Sequence, residues 1–205
     1  MNSRVHSITL CLAMLIFMLS GCATVDQKIN LAYKPLDRSF GRNSGDVLVS
    51  RIDAASQLRN AKGEWVVGSL NNIHGVRQAD ILSDRIIGEW ISDALVQELK
   101  QAGYSAKYAA QLPPGAARGV VIEDINVFMN VIKGNVTSEA RHELKFNVDI
   151  ILGGLKIKTV TIAAKENKTI PLTLSQEEKE RIMLQSLQDA MQQVIPELIA
   201  QFNKK

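Results

Sequence analysis

Between Leu144 and Leu152 the chain alternates strictly, with Leu144, Phe146, Val148, Ile150 and Leu152 set against Lys145, Asn147 and Asp149. Period two sends alternate side chains to opposite faces, so this stretch predicts a half-buried strand. Gly153-Gly154 then joins it to Leu155–Ala164, as a hairpin turn needing positive φ at both central residues. Upstream, Gly119–Ile132 puts Val121, Ile125, Val127, Met129 and Val131 on one face, with Glu123 as the exception, before a turn at Lys133-Gly134-Asn135. These three runs predict an antiparallel meander. Shorter β-rich runs fall at Asp46–Asp53, Glu64–Leu70 and Tyr104–Ala109, and Ile29, Leu31 and Tyr33 alternate as a short edge strand would.

From Asp80 the period changes. Ile87, Trp90, Ile91, Ala94, Leu95, Leu99 and Ala102 form one apolar face of a helix, expected over 81–102. Asp80 or Ser83 is placed to cap it, and Gly103 to end it. Ser175-Gln176-Glu177-Glu178 is a capping box, opening a helix over 176–203 whose stripe runs Leu184, Leu187, Met191, Val194, Ile195, Leu198 and Phe202. Pro196 inside that stripe predicts a kink or a separate last helix. The expected fold is therefore α+β: a mainly antiparallel sheet of five or six strands with both long helices on one face.

The amino terminus reads differently. Leu12–Cys22, LAMLIFMLSGC, is apolar, is preceded by Arg4, and is shorter than the ~20 residues that a spanning helix needs. Its end, Leu19-Ser20-Gly21-Cys22, resembles the lipobox of bacterial lipoproteins. That resemblance implies cleavage between Gly21 and Cys22, a diacylglycerol on the Cys22 thiol, and acylation of the new amino terminus. Ala23, which is not aspartate, then implies sorting to the outer membrane with the domain facing the periplasm. The expected division is a signal over 1–21, a lipidated tether over 22–45 rich in Pro35, Gly41, Asn43 and Gly45, and one domain over 46–205.

Composition narrows the function classes. The chain carries 24 Lys+Arg against 21 Asp+Glu, and Arg4 leaves with the signal, a balance too even to predict a nucleic-acid partner. With Cys11 removed and Cys22 acylated, no thiol remains for a disulfide, a nucleophile or a thiolate metal site. His74 and His142 are the mature chain's histidines, and neither H-x-x-x-H nor G-x-S-x-G accompanies them, so both are read as exposed loop residues. Glu123-Asp124 and Glu177-Glu178 are adjacent rather than facing pairs. No cofactor, metal or catalytic set is expected, and the chain is read as non-enzymatic.

Three residues remain as a candidate binding surface. Lys156 and Lys158 leave the Leu155/Ile157 face together, either as a patch or, as the favoured reading, as the wet side of a strand. Trp65, on a short strand beside a loop, is the aromatic better placed at a surface; Trp90 belongs to the helix stripe and the core.

Taken together, the lipobox, the strand ending in Asp53, Gly68, the segment Ala94-Leu95-Val96-Gln97-Glu98-Leu99-Lys100-Gln101-Ala102-Gly103-Tyr104, the β meander and the last helix resemble the YajG-like family of bacterial lipoproteins. The resemblance implies a membrane-anchored binding or accessory module of the cell envelope with no established enzyme activity. One departure is Asp53-Ala54-Ala55, where that family commonly has Asp-x-Arg. The expected partners are the membrane, through the lipid, and an envelope protein, and self-association is compatible with both. The alternative is an auxiliary of lipid transport or outer-membrane assembly that holds an apolar ligand between helix and sheet.

Overall fold

The computed structural model describes residues 25–38, 43–50, 57–171 and 174–204. Its strands are β1 (Gln27–Ile29), β2 (Asp46–Ser50), β3 (Trp65–Asn72), β4 (Arg77–Ser83), β5 (Ser105–Ala109), β6 (Arg118–Lys133), β7 (Thr137–Leu152) and β8 (Leu155–Pro171). The helices among the described residues are α1 (Ile87–Gln101) and α2 (Gln176–Phe202). The α+β class stands, but the sheet does not match the expected one. Among the described residues it has eight strands rather than five or six and is mixed, with β1/β4, β2/β5, β2/β6 and β3/β6 all parallel. Alternation reports which face a side chain takes; it does not report which distant strand lies alongside. The parallel pairs join residues far apart in sequence, Leu48 to Gly119 and Gly68 to Met129, across connections that no local pattern encodes.

The expected meander is present as β6, β7 and β8, antiparallel throughout. Its turn at Gly153-Gly154 has φ of 57° and 79°, which lets Leu152 pair with Leu155 across two residues. On its other edge β6 is shared: β2 pairs near its start and β3 near its end. Glu123 proves to mark an irregularity. Between Glu123 and Asn126, β6 carries one more residue than β7, and Asp124 there has φ of 52°. An extra residue reverses which side chains face inward, so Val120 and Ile122 are buried before it and Met129 and Val131 after it.

β4 was not expected at all. Arg77–Ser83 continues the sheet, antiparallel to β3, so the first helix begins at Ile87 rather than near residue 81. Neither Asp80 nor Ser83 caps it; the Ile87 amide donates to Gln57 Oε1 at 2.8 Å. The Gly103 stop is as expected, with φ of 98° and the Tyr104 amide returning to Leu99 O at 3.0 Å. The Ser175 capping box forms in both directions, and α2 runs as one helix through Pro196. Both helices cover the same face as Leu144, Phe146 and Val148, and Trp90, Phe146, Leu187, Met191 and Leu198 fill the layer between.

Within the expected tether, residues 25–38 pack on the domain. β1 lies parallel to β4, Ile29, Leu31 and Leu36 are buried, and the Leu31 amide donates to Asp84 Oδ1 at 2.9 Å.

Candidate functional site

The proposed surface lysines sit where β7 turns into β8, and the register there decides how they point. Ile150 faces Lys158, but Ile151 faces Lys156, so Ile157 is an extra residue on β8. That bulge sends Lys156 and Lys158 to opposite faces of the sheet, contrary to the shared face expected from alternation. Lys156 Nζ meets Asp149 Oδ2 at 2.6 Å on the face away from the helices; the other Asp149 oxygen accepts from Thr159 Oγ1 at 2.6 Å. Lys158 Nζ reaches Glu197 Oε1 of α2 at 2.7 Å, and Gln201 Nε2 donates to the same oxygen at 2.6 Å. The hydrogen bond from Lys158, with that from Gln201, holds the Glu197 carboxyl below its ordinary range, and the bond to Asp149 raises the Lys156 ammonium above its own. The lysines therefore hold the hairpin to its neighbours. What the hairpin presents to solvent is Leu155, 72% exposed, and Ile157, 44% exposed.

Trp65 is half-buried on β3, and the Arg59 guanidinium lies 3.6 Å from its ring centroid. One face of the indole is thus covered by the chain's own cation. Trp65 and the lysines are not brought together: β3 runs beside the end of β6, whereas Lys156 and Lys158 stand across β7 from its beginning. Cys22, Gly21 and Ala23 lie outside the described residues, as do Asp53, Ala54 and Ala55.

Three buried polar groups were not anticipated as such. His142 is 0% exposed on β7, not in a loop, and its Nδ1 lies 2.7 Å from Ser186 Oγ of α2. Ser186 donates to Ile182 O at 3.1 Å, which leaves its oxygen to accept from His142 Nδ1–H, while Nε2 is buried without a partner. Burial lowers the imidazole pKa to about 4, so the ring is neutral near pH 7. Among the described residues no carboxylate completes this pair: neighbouring Glu143 points to the opposite face and binds Lys165 at 2.8 Å. The signal was present, because extending the period-two pattern back from Leu144 through His142 to Ala140 places the histidine on the core face.

Glu98, also 0% exposed, accepts from Tyr33 O–H at 2.5 Å and from the Leu36 amide at 2.8 Å, both on Oε1; Oε2 is buried and unpartnered. Burial and the adjoining carboxylate push the Tyr33 hydroxyl pKa well above its usual range. Lys179 buries its side chain and donates to Leu174 O at 2.5 Å and Ser175 O at 3.2 Å, with its pKa lowered by desolvation. Each of these groups ties a chain segment to a helix. Beside α2 lies a shallow cleft of about 510 Å³, lined by Arg38, Lys165, Asp189 and Gln192 among others. Among the described residues, no cluster of three or more His, Cys, Asp and Glu side chains is placed to hold a metal ion, and no helix is long and apolar enough to cross a membrane.

No family model matches the chain, and no curated protein matches it in sequence. Among solved structures, a Xanthomonas campestris protein of family DUF330 is similar with a TM-score of 0.46 at 10% identity, over 84% of this chain and 92% of that one. An uncharacterised protein gives a TM-score of 0.40 at 11% identity, over 85% and 99% of the two chains. A Helicobacter pylori protein described as a neuraminyllactose-binding hemagglutinin homolog gives 0.43 at 10%, over 84% and 97%. Likenesses of this size carry no argument about activity.

Proposed function

We propose that this chain is a lipid-anchored accessory protein of the bacterial envelope, held by Cys22 and acting by binding rather than by catalysis. The observation that carries the reading is the apolar run Leu12–Cys22 closing in Leu19-Ser20-Gly21-Cys22, five residues ahead of the first strand at Gln27. On this reading the chain is a YajG-like lipoprotein, Ala23 directs it to the outer membrane, and the domain faces the periplasm. The exposed apolar side chains of the β7–β8 hairpin, Leu155 and Ile157, are the surface it offers to an envelope protein. The apolar-ligand alternative gains no support from the cleft beside α2, whose lining is charged and amide-rich.

Cys22→Ser tests the anchor. Several acyl chains hold a protein far more firmly than the single chain that binds only marginally, so their loss should move the protein from the membrane to the soluble fraction. Retention of the variant in the membrane, or fractionation of the native protein with the inner membrane, would contradict the respective half of the proposal.

A further inference from the structure

Two turns at one end of the sheet carry apolar side chains where turns are ordinarily polar. The β3–β4 turn exposes Ile73 at 55% and Val76 at 56%, and the β6–β7 turn exposes Val136 at 72%. They are neighbours: Asn72 pairs with Lys133, and a Cβ built on Gly134 would lie 4.0 Å from Ile73 Cγ2. Both turns are held in shape by hydrogen bonds from their backbone amides. Asn72 Oδ1 accepts from the His74 and Val76 amides at 2.9 Å each, and the Gly134 amide donates to Thr137 O at 2.9 Å. Single exposed apolar residues are ordinary; three on two adjoining tips form a patch.

The direction of the chain says what covers them. β1 runs parallel to β4, and β4 runs away from these tips, so the chain enters β1 from the tip side, through Val25 and Asp26. The contact continues upstream, with the Asp80 amide donating to Asp26 Oδ1 at 2.9 Å and Val25 left 75% exposed. Cys22 is three residues before Val25, a reach of at most ~11 Å. Beyond Asp80 the strand and its turn project roughly another 15 Å in the same direction at ~3.3 Å per residue. An acyl chain on Cys22 therefore cannot enter a bilayer without bringing the tips to its surface, unless the whole domain tilts aside.

We propose that Ile73, Val76 and Val136 form a second membrane contact, seated in the headgroup region of the leaflet that holds the lipid anchor. Exposed Lys133 beside them suits anionic headgroups. The proposal rests on the lipid-anchor reading and orients the domain: the tips lie on the membrane, and the Leu155 hairpin, at the far end of β7, points away from it.

The test uses the full chain as purified from its own membrane, with Cys22 analysed by mass spectrometry, in vesicles of phosphatidylethanolamine and phosphatidylglycerol. Val136→Cys and, separately, Leu155→Cys are labelled with an environment-sensitive fluorophore, since the mature chain has no other free thiol once Cys22 is acylated. The expected result is a several-fold gain in emission at position 136, quenched by spin-labelled lipid, with position 155 unchanged. Equal solvent exposure of both labels, with mass spectrometry showing Cys22 acylated, overturns the docking but not the anchor. An unacylated Cys22 overturns both. A label at 136 that is shielded in cell envelopes and exposed in protein-free vesicles assigns the tips to a protein partner and overturns the bilayer contact.

Discussion

His142 sits neutral inside the domain, and this makes its protonation a cost of keeping the fold. Its folded pKa of about 4 lies below the unfolded value of 6.5, so the unfolded chain binds the proton more readily. The His142 contribution is therefore constant above pH 6.5, falls as the pH drops from there towards 4, and is lost in full below that. The shift corresponds to about 3 kcal/mol, from 1.36 kcal/mol per pKa unit. His142→Gln should flatten this acid dependence, as read by urea unfolding at pH 7, 5.5 and 4. A variant that keeps the wild-type slope would place the dependence elsewhere. Residue identity alone did not show the burial of His142. Two polar neighbours, Arg141 and Glu143, disguise a core position that the parity of the strand discloses. Glu98 was hidden for the same kind of reason: its charge suggests a solvated position, yet helical spacing sets it with buried Ile91, Ala94, Leu95 and Ala102, and residues 33–36 return over α1 to donate to it.

At the scale of elements, turns and caps set by neighbouring residues are legible where those residues have no competing partner. The β7–β8 hairpin, the Gly103 stop and the Ser175 capping box depend on side chains a few residues apart, and all three form as their residues predict. β4 was missed because RQADILS opens with polar residues and then buries Ala79, Ile81 and Leu82 in a row that does not alternate. The shared facing expected of Lys156 and Lys158 is lost for a related reason. One inserted residue at Ile157 reverses the facing of Lys156, and no period-two count can locate a bulge beforehand. Close approach between elements is equally invisible from sequence and is testable at Gly68. A Cβ there would collide with the Met129 carbonyl of β6, a backbone atom that cannot swing aside. Gly68→Ala should destabilise the domain by roughly 2 kcal/mol, within the ~1–3 kcal/mol usual for overpacking. Unchanged urea midpoints would show that β3 and β6 separate without cost.

For the whole molecule, the meander sets the working distance. β7 spans 16 residues, so the Leu155 hairpin stands ~50 Å from the Val136 tip at ~3.3 Å per residue. Its apolar side chains rest on a base fixed by the Lys156–Asp149 and Lys158–Glu197 pairs. A photo-crosslinking residue at position 155 should capture an envelope protein in intact cells, and one at Thr161, farther along β8 on the exposed face, should capture far less. Equal capture at both positions would remove the hairpin as the docking point.

The Glu98 carboxylate has a mechanical consequence. A pull on the amino terminus from the tip side runs along the axis of β1, and a strand loaded along its own axis must break its ladder to β4 together rather than one bond at a time. Beyond that ladder the force reaches Tyr33 and Leu36, both fastened to one oxygen of Glu98 inside α1. Residues 27–36 are thus fastened to the first helix, and on the lipid-anchor reading strain arising at the membrane would be passed through them to α1 and the core beneath it.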